Sequence, residues 1–149
     1  MKTKQILPPT YVLAALVLML VLHFAFPGIR LIPPPWNLLG LIPLIIGVAL
    51  NLIADSAFHR AGTTVKPFQE SSALLTGGVY RLSRHPMYLG FVLVLIGVAI
   101  LLGSLTPWVV VPIFTGSMEV IFIQEEERML AEKFGPDWLA YKKKVRRWI

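Results

Sequence analysis

Cysteine is absent from the 149-residue chain, which excludes a disulfide framework, a thiol nucleophile and a cysteine metal site. Acidic residues are scarce too: eight Asp and Glu stand against fourteen Lys and Arg, leaving a net charge of +6. There is no GxGxxG fingerprint, Walker loop, HExxH pair or serine elbow, so the common phosphate, zinc-peptidase and hydrolase signatures are missing. Gly77-Gly78 in LLTGGVY reads as a turn, not a phosphate loop. Histidine and aspartate occur together near Asp55 and His59, but no further ligand spacing supports zinc, and no metal is expected. No internal repeat or low-complexity segment stands out.

What the chain has is apolar surface. Hydrophobic residues make up 56% of it and the mean hydropathy is +0.70, the composition of a membrane protein. In such a chain the basic excess faces anionic lipid headgroups, and no nucleic-acid partner is expected. The N-terminal MKTKQILPPTYVLAALVLMLVLHFAF has the basic flank of a signal peptide but a long apolar run and no small-residue cleavage site, so it reads as a retained first span.

A bilayer core of ~30 Å takes roughly 20 helical residues. Four segments qualify within one domain over 1–149: about 9–26, 36–55, 86–102 and 107–124. The expected fold is all-α and integral to the membrane, four transmembrane helices with a C-terminal helical hairpin and a short interfacial C-terminal helix. Only GSLT separates the last two spans, which predicts a tight antiparallel hairpin. Gly90, Gly97, Gly116 and Ser117 are small enough to let helices approach closely, and Pro112 is expected to kink the fourth span. Four crossings put Lys2, Lys4, Arg60, Lys66, Arg81, Arg84, Arg128, Lys133 and the KKKVRR cluster on one side and Arg30 on the other, which predicts cytoplasmic termini.

Polar chemistry is confined to two stretches on that basic side. In YRLSRHPMYLG, Arg81, Arg84, His85, Tyr80 and Tyr88 crowd the start of the third span. Arginines and tyrosines there commonly serve as headgroup anchors, but His-Pro at a helix entrance fixes a ring beside unpaired N–H groups, a natural place for an anion. In QEEERMLAEKFGPDWLAYKKKVRRW, three successive glutamates point ~100° apart on a helix, so at least one should face the bundle. Surface pairing with Arg128 or Lys133 is the alternative. Gly135-Pro136 should end that helix, and Trp138, Leu139, Tyr141, Val145 and Trp148 among basic residues suit a short helix on the bilayer surface. Asn51, Asp55 and His59 form a four-residue stripe, and Glu119 lies at membrane depth, where an ionisable group faces a partner or a cavity.

The ordered set LLTGGVYRLSRHPMYLG, then a helical hairpin, then EEERMLAEKFGPDWLAYKKKV resembles the integral-membrane methyltransferases related to isoprenylcysteine carboxyl methyltransferase and phospholipid N-methyltransferases. The likeness covers about residues 62–148; the N-terminal half is similar only as hydrophobic helices. It implies S-adenosylmethionine as cofactor, bound without a Rossmann domain, and methyl transfer to a lipid-like small-molecule acceptor among membrane lipids. By resemblance, Leu74, Leu75, Tyr80, His85, Pro86, Met87, Tyr88, Glu126 and Glu127 line or bind the cofactor. Eukaryotic members carry a substrate-contacting arginine one turn before the acidic pair; here that position is Phe122, between Ile121 and Ile123, so a prenylcysteine carboxylate is not the expected acceptor. The resemblance further implies a minimal version in a prokaryotic cytoplasmic membrane.

On this reading Arg84 or Arg81 holds an anionic group, and Glu119, Asp55 or His59 takes a proton from the acceptor; the candidate catalytic residues are Arg84, His85 and Glu119. Two rivals remain open: a nicotinamide-dependent reductase on a related scaffold, and a non-enzymatic lipid-binding membrane protein.

Overall fold

A computed structural model describes residues 7–63 and 71–149; Lys2, Lys4 and Lys66, counted above on the basic side, lie outside them. Helix α1, Pro8–Ala25, opens on two prolines, whose fixed φ and missing N–H suit a first helical turn. A 3₁₀ turn, Trp36–Gly40, leads into α2, Leu41–Arg60. Helix α3, Pro86–Leu102, again starts on proline, and it stops at Gly103 in the left-handed conformation (φ 71°). A 3₁₀ turn, Thr106–Val109, then feeds α4, Val110–Met118, a π-turn, Glu119–Ile123, and α5, Gln124–Lys144, as one helical run.

Among the described residues, three stretches are long and apolar enough to cross a membrane: Pro8–Ala25, Trp36–Arg60 and Thr106–Lys144. Pro86–Leu102 has 17 residues, the lower end of what a ~30 Å core needs. Among the described residues there is no strand, only an isolated bridge between Arg30 and Ser104. Met19, Leu95, Met118 and Ile123 are fully buried at the centre, while Val17, Phe24, Leu52 and Ile113 are exposed, as lipid-facing positions would be.

Three expectations about packing need correction. The small residues join α3 to α2, not to α4. A Cβ on Gly47 would lie 2.5 Å from the Gly90 carbonyl oxygen, and one on Gly97 would lie 2.7 Å from that of Gly40; only glycine permits such backbone approach. Gly116 has nothing within 4 Å of a built Cβ, and half-buried Ser117 donates its hydroxyl back to the Ile113 carbonyl. Pro112 sits in the first turn of α4, where a missing N–H is tolerated, and the departure from α geometry comes at Glu119–Ile123 instead. Finally, the break at Gly135 (φ 45°, ψ −115°) turns the last helical segment inward. Trp138 and Tyr141 are buried against Ala54, Tyr80 and Val145 rather than laid on the outer surface; Leu139 alone of that expected anchor set is well exposed, with Trp148 half-buried.

The connection 26–35 folds over the opposite end of the bundle. Leu31 and Ile32 donate backbone N–H groups to Gly103 (2.8 and 3.1 Å), and His23 Nδ1 lies 2.7 Å from Ser104 Oγ. That end is closed, and the polar site lies at the other.

Candidate active site

The segment before α3 is held by one short-range bond and by two ties to the C-terminal segment. Buried Ser83 accepts the His85 N–H (3.0 Å) and donates to the Arg147 carbonyl (3.0 Å), and the Arg84 N–H donates to the Arg146 carbonyl (3.1 Å). His85 is the N-cap of α3 and its carbonyl accepts the Leu89 N–H. Because Pro86 fixes the first turn, the imidazole is aimed by the helix entrance rather than by a mobile loop.

Glutamates from the first turn of α5 meet it. Oε1 of Glu126 accepts the Tyr88 hydroxyl at 2.6 Å, and Oε2 lies 3.5 Å from His85 Nδ1. Glu127 turns to the other side: its Oε1 takes His85 Nε2 (3.3 Å), Arg84 Nη2 (2.9 Å) and Arg147 Nε (3.1 Å), and its Oε2 takes Arg147 Nη2 (2.7 Å). Glu125 stays outside, paired with exposed Arg128. The three acids thus point three ways, as ~100° steps require.

Burial pushes the His85 imidazole down, but the hydrogen bonds and charges of Glu126 and Glu127 outweigh it and hold its pKa above the ordinary histidine value. The Tyr80 hydroxyl is pushed up by burial first, then by Tyr141, Glu126 and Asp55. Among the described residues that hydroxyl has no hydrogen-bond partner, nor has Arg84 Nε. Arg84 is otherwise fully engaged, donating to the Lys142 and Val145 carbonyls (3.2 and 3.3 Å) and lying 5.7 Å over the Trp138 ring.

These groups surround a cavity of about 580 Å³, within the ~300–1,000 Å³ usual for small-molecule and cofactor sites. Leu74, Leu75, Tyr80, Arg84, His85, Pro86, Met87, Tyr88 and Glu126 all line it. Two candidates do not. Glu127 is buried behind the imidazole, and Glu119 lies in the π-turn with its Oε1 2.6 Å from Arg147 Nη1. Of the polar stripe on α2, Asp55 reaches the cavity, His59 pairs with it at 3.3 Å from the exposed side, and Asn51 bonds to the Gly47 carbonyl. Phe122 is buried between Tyr11 and Tyr88 and stands off the cavity.

Sequence reasoning missed that Phe134, Trp138 and Tyr141 form a wall of the cavity and that Arg147 ties its rear. A signal for the aromatic pair was present: Trp138 and Tyr141 are three residues apart on one helix face.

A helical membrane bundle whose mostly apolar cavity carries His85 from one helix entrance and Glu126 from the glutamate run of another defines a membrane protein with a ligand-sized site at one end. Residues 36–137 match the family model described as phospholipid methyltransferase, and the chain belongs to that family. It is 31% identical over 124 residues to protein-S-isoprenylcysteine O-methyltransferase A of Arabidopsis thaliana, an overlap of 80% of this chain and 61% of that protein. To protein-S-isoprenylcysteine O-methyltransferase of Saccharomyces cerevisiae it is 37% identical over 136 residues, 85% of this chain and 56% of the other. Among solved structures, the eukaryotic intramembrane Ras methyltransferase, an isoprenylcysteine carboxyl methyltransferase, superposes with a TM-score of 0.65 at 26% identity, over 95% of this chain and 51% of that one. The chain therefore spans little more than half the length of these relatives, and it shares their membrane fold.

Proposed function

We propose that the protein is an S-adenosylmethionine-dependent methyltransferase acting on a lipid-like or membrane-partitioned acceptor at the cytoplasmic border of the membrane. The observation that carries this reading is the convergence of His85 and Glu126, from separate helices, on one cavity at the basic end of the bundle.

The lining suits the donor. Such a cofactor has ribose hydroxyls and an ammonium for a carboxylate, and an apolar purine for a flat greasy wall. Glu126 offers the carboxylate, the buried Tyr80 hydroxyl an unused polar atom, and Leu74, Leu75, Phe134 and Trp138 the wall. When bound, the cofactor supplies an electrophilic methyl on a positively charged sulfur. The protein's own share is to hold and orient: Glu126, steered by Tyr88 and His85, fixes the polar end, and dehydration by the aromatic wall strengthens every charge inside.

Arg84 serves as the cation that keeps Glu127 charged behind His85. Glu119, tied to Arg147, is assigned no proton transfer; Asp55, the carboxylate on the cavity's α2 side, takes that role where the acceptor must lose a proton. The acceptor arrives along Leu7, Pro8, Pro9 and Phe91, the apolar end of the cavity. Although the relatives above are named for isoprenylcysteine, the cavity's arginine is already paired, which supports an acceptor that does not depend on a carboxylate for recognition. Both termini lie on the cytoplasmic side, by the excess of lysine and arginine there.

Isothermal titration of S-adenosylmethionine and its demethylated product into detergent-solubilised protein tests this, with His85→Ala and Glu126→Ala beside it. Saturable binding lost in both variants is expected; no binding to folded wild-type protein overturns the reading.

A further inference from the structure

Arg147 does not line the cavity, yet its guanidinium joins two carboxylates of one helical run. Nη1 lies 2.6 Å from Glu119 Oε1, while Nε and Nη2 lie 3.1 and 2.7 Å from the two oxygens of Glu127. On a straight α-helix, residues eight positions apart sit ~80° apart, because eight steps of ~100° overshoot two turns by that much. Between these two the helix makes a π-turn, Glu119–Ile123, whose i→i+5 bond takes in one residue more than an α-turn. The separation therefore acts as one of about seven, ~700°, within ~20° of two full turns. Both carboxylates come to one face, where a single planar fork reaches them.

The fork reaches the site through Glu127. Oε1 of that residue accepts from His85 Nε2 (3.3 Å) and Arg84 Nη2 (2.9 Å), and on the far side of the imidazole Nδ1 faces Glu126 at 3.5 Å. His85 is thus clasped by two carboxylates, of which Glu126 alone opens on the cavity. The backbone enforces the arrangement: the Arg146 and Arg147 carbonyls are tied to Arg84 and Ser83, so the chain that carries Arg147 is bound directly to the chain that carries His85.

We propose that Arg147 is a positioning residue, which bridges Glu119 of the π-turn to Glu127 and so fixes the carboxylate that orients the His85 ring toward Glu126 and the cavity. Its consequence for cofactor binding rests on the function proposed above; the geometry does not. The groups facing His85 are Glu126 and Glu127 from α5, Arg84 beside it in sequence, Tyr88 from α3, and Arg147 through Glu127. Arg84 and Arg147 together balance Glu119 and Glu127. Without Arg147, Glu127 keeps Arg84 alone of the two guanidiniums, and the imidazolium becomes its replacement cation.

The test is the ¹⁵N spectrum of histidine-labelled full-length protein in detergent, titrated with pH, with the His85 signal assigned by its loss in His85→Asn. In Arg147→Gln, His85 should keep its proton to a pH about one unit higher and lose a single neutral tautomer at high pH. Arg147→Lys keeps a charge but cannot span both acids, so it should restore the midpoint without restoring the single tautomer. A folded Arg147→Gln protein with a wild-type His85 titration and tautomer overturns the proposal. Should that variant not fold, Glu119→Gln serves: loss of the single tautomer supports the bridge, and an unchanged spectrum overturns it. Titration of the demethylated cofactor product into the same samples is expected to weaken roughly tenfold in Arg147→Gln. Failure of wild type to bind it would remove the proposed function, while the histidine spectrum would still decide the role of Arg147.

Discussion

Nδ1 of His85 lies 3.5 Å from Oε2 of Glu126, and the Tyr88 hydroxyl holds the other oxygen of that carboxylate at 2.6 Å. A histidine and a tyrosine from the entrance of α3 thereby aim one acid of α5 into the cavity. Removing the tyrosine donor in Tyr88→Phe keeps the ring and its packing on Phe91 and Phe122. Hydrogen bonds to charged groups contribute ~1.5–3 kcal/mol to the folded state, so the variant should lose stability up to that order, and binding of S-adenosylmethionine should weaken because the Glu126 carboxylate is no longer held. Calorimetric titration and thermal unfolding of the same preparation check both halves.

Close approach of α2 and α3 makes a second prediction. Gly90→Ala places a methyl against Gly47 and Asn51, an overpacking that costs about 1–3 kcal/mol, whereas Gly116→Ala meets nothing within 4 Å and should leave stability within about 0.5 kcal/mol of wild type. Thermal melts of the two variants in one detergent, side by side, measure the difference.

pH supplies a third. The folded-state pKa of His85 is raised above its unfolded value, so its stabilising contribution is fully present below the unfolded value near 6.5 and is lost as pH rises through the folded one. The stability advantage of wild type over His85→Gln should therefore be largest on the acid side of pH ~6.5 and shrink at alkaline pH. Unfolding of both proteins across that range, compared pH by pH, gives the trend; a gap that widens with pH would contradict it.

Trp138 provides an optical reading. Its ring is buried, stacked near Arg84, and forms part of the cavity wall. Adding the demethylated cofactor product should alter tryptophan emission in wild type, and Trp138→Phe should remove most of the change while Trp36→Phe, an exposed position, should not.

Much of this architecture was legible in the amino-acid pattern, for physical reasons that differ by element. Apolar runs of membrane length and prolines at Pro8 and Pro86 mark helices and their starts, and the glutamate run had to send at least one carboxylate inward because of helical pitch. Partner choice was not legible: Gly90 and Gly97 announce a close contact but not with which helix, and Gly47 on α2 with Gly40 in the turn that leads into it supplied the answer. Nor was the fate of Glu119, since a π-turn changes facing without a mark in composition, and its partner Arg147 returns from the distant C-terminal segment. Trp138 and Tyr141 among lysines suit a surface anchor; the kink at Gly135 and their burial decide for a cavity wall.

The central claim is that the segments around His85 and Glu126 together bind the methyl donor. Ultraviolet cross-linking of methyl-labelled S-adenosylmethionine to the folded protein, followed by peptide mapping, tests it most directly. Saturable label on peptides within 71–91 and 126–141, competed by the demethylated product, is the expected result; no saturable label, or label confined to the closed end around Arg30 and Ser104, would contradict it.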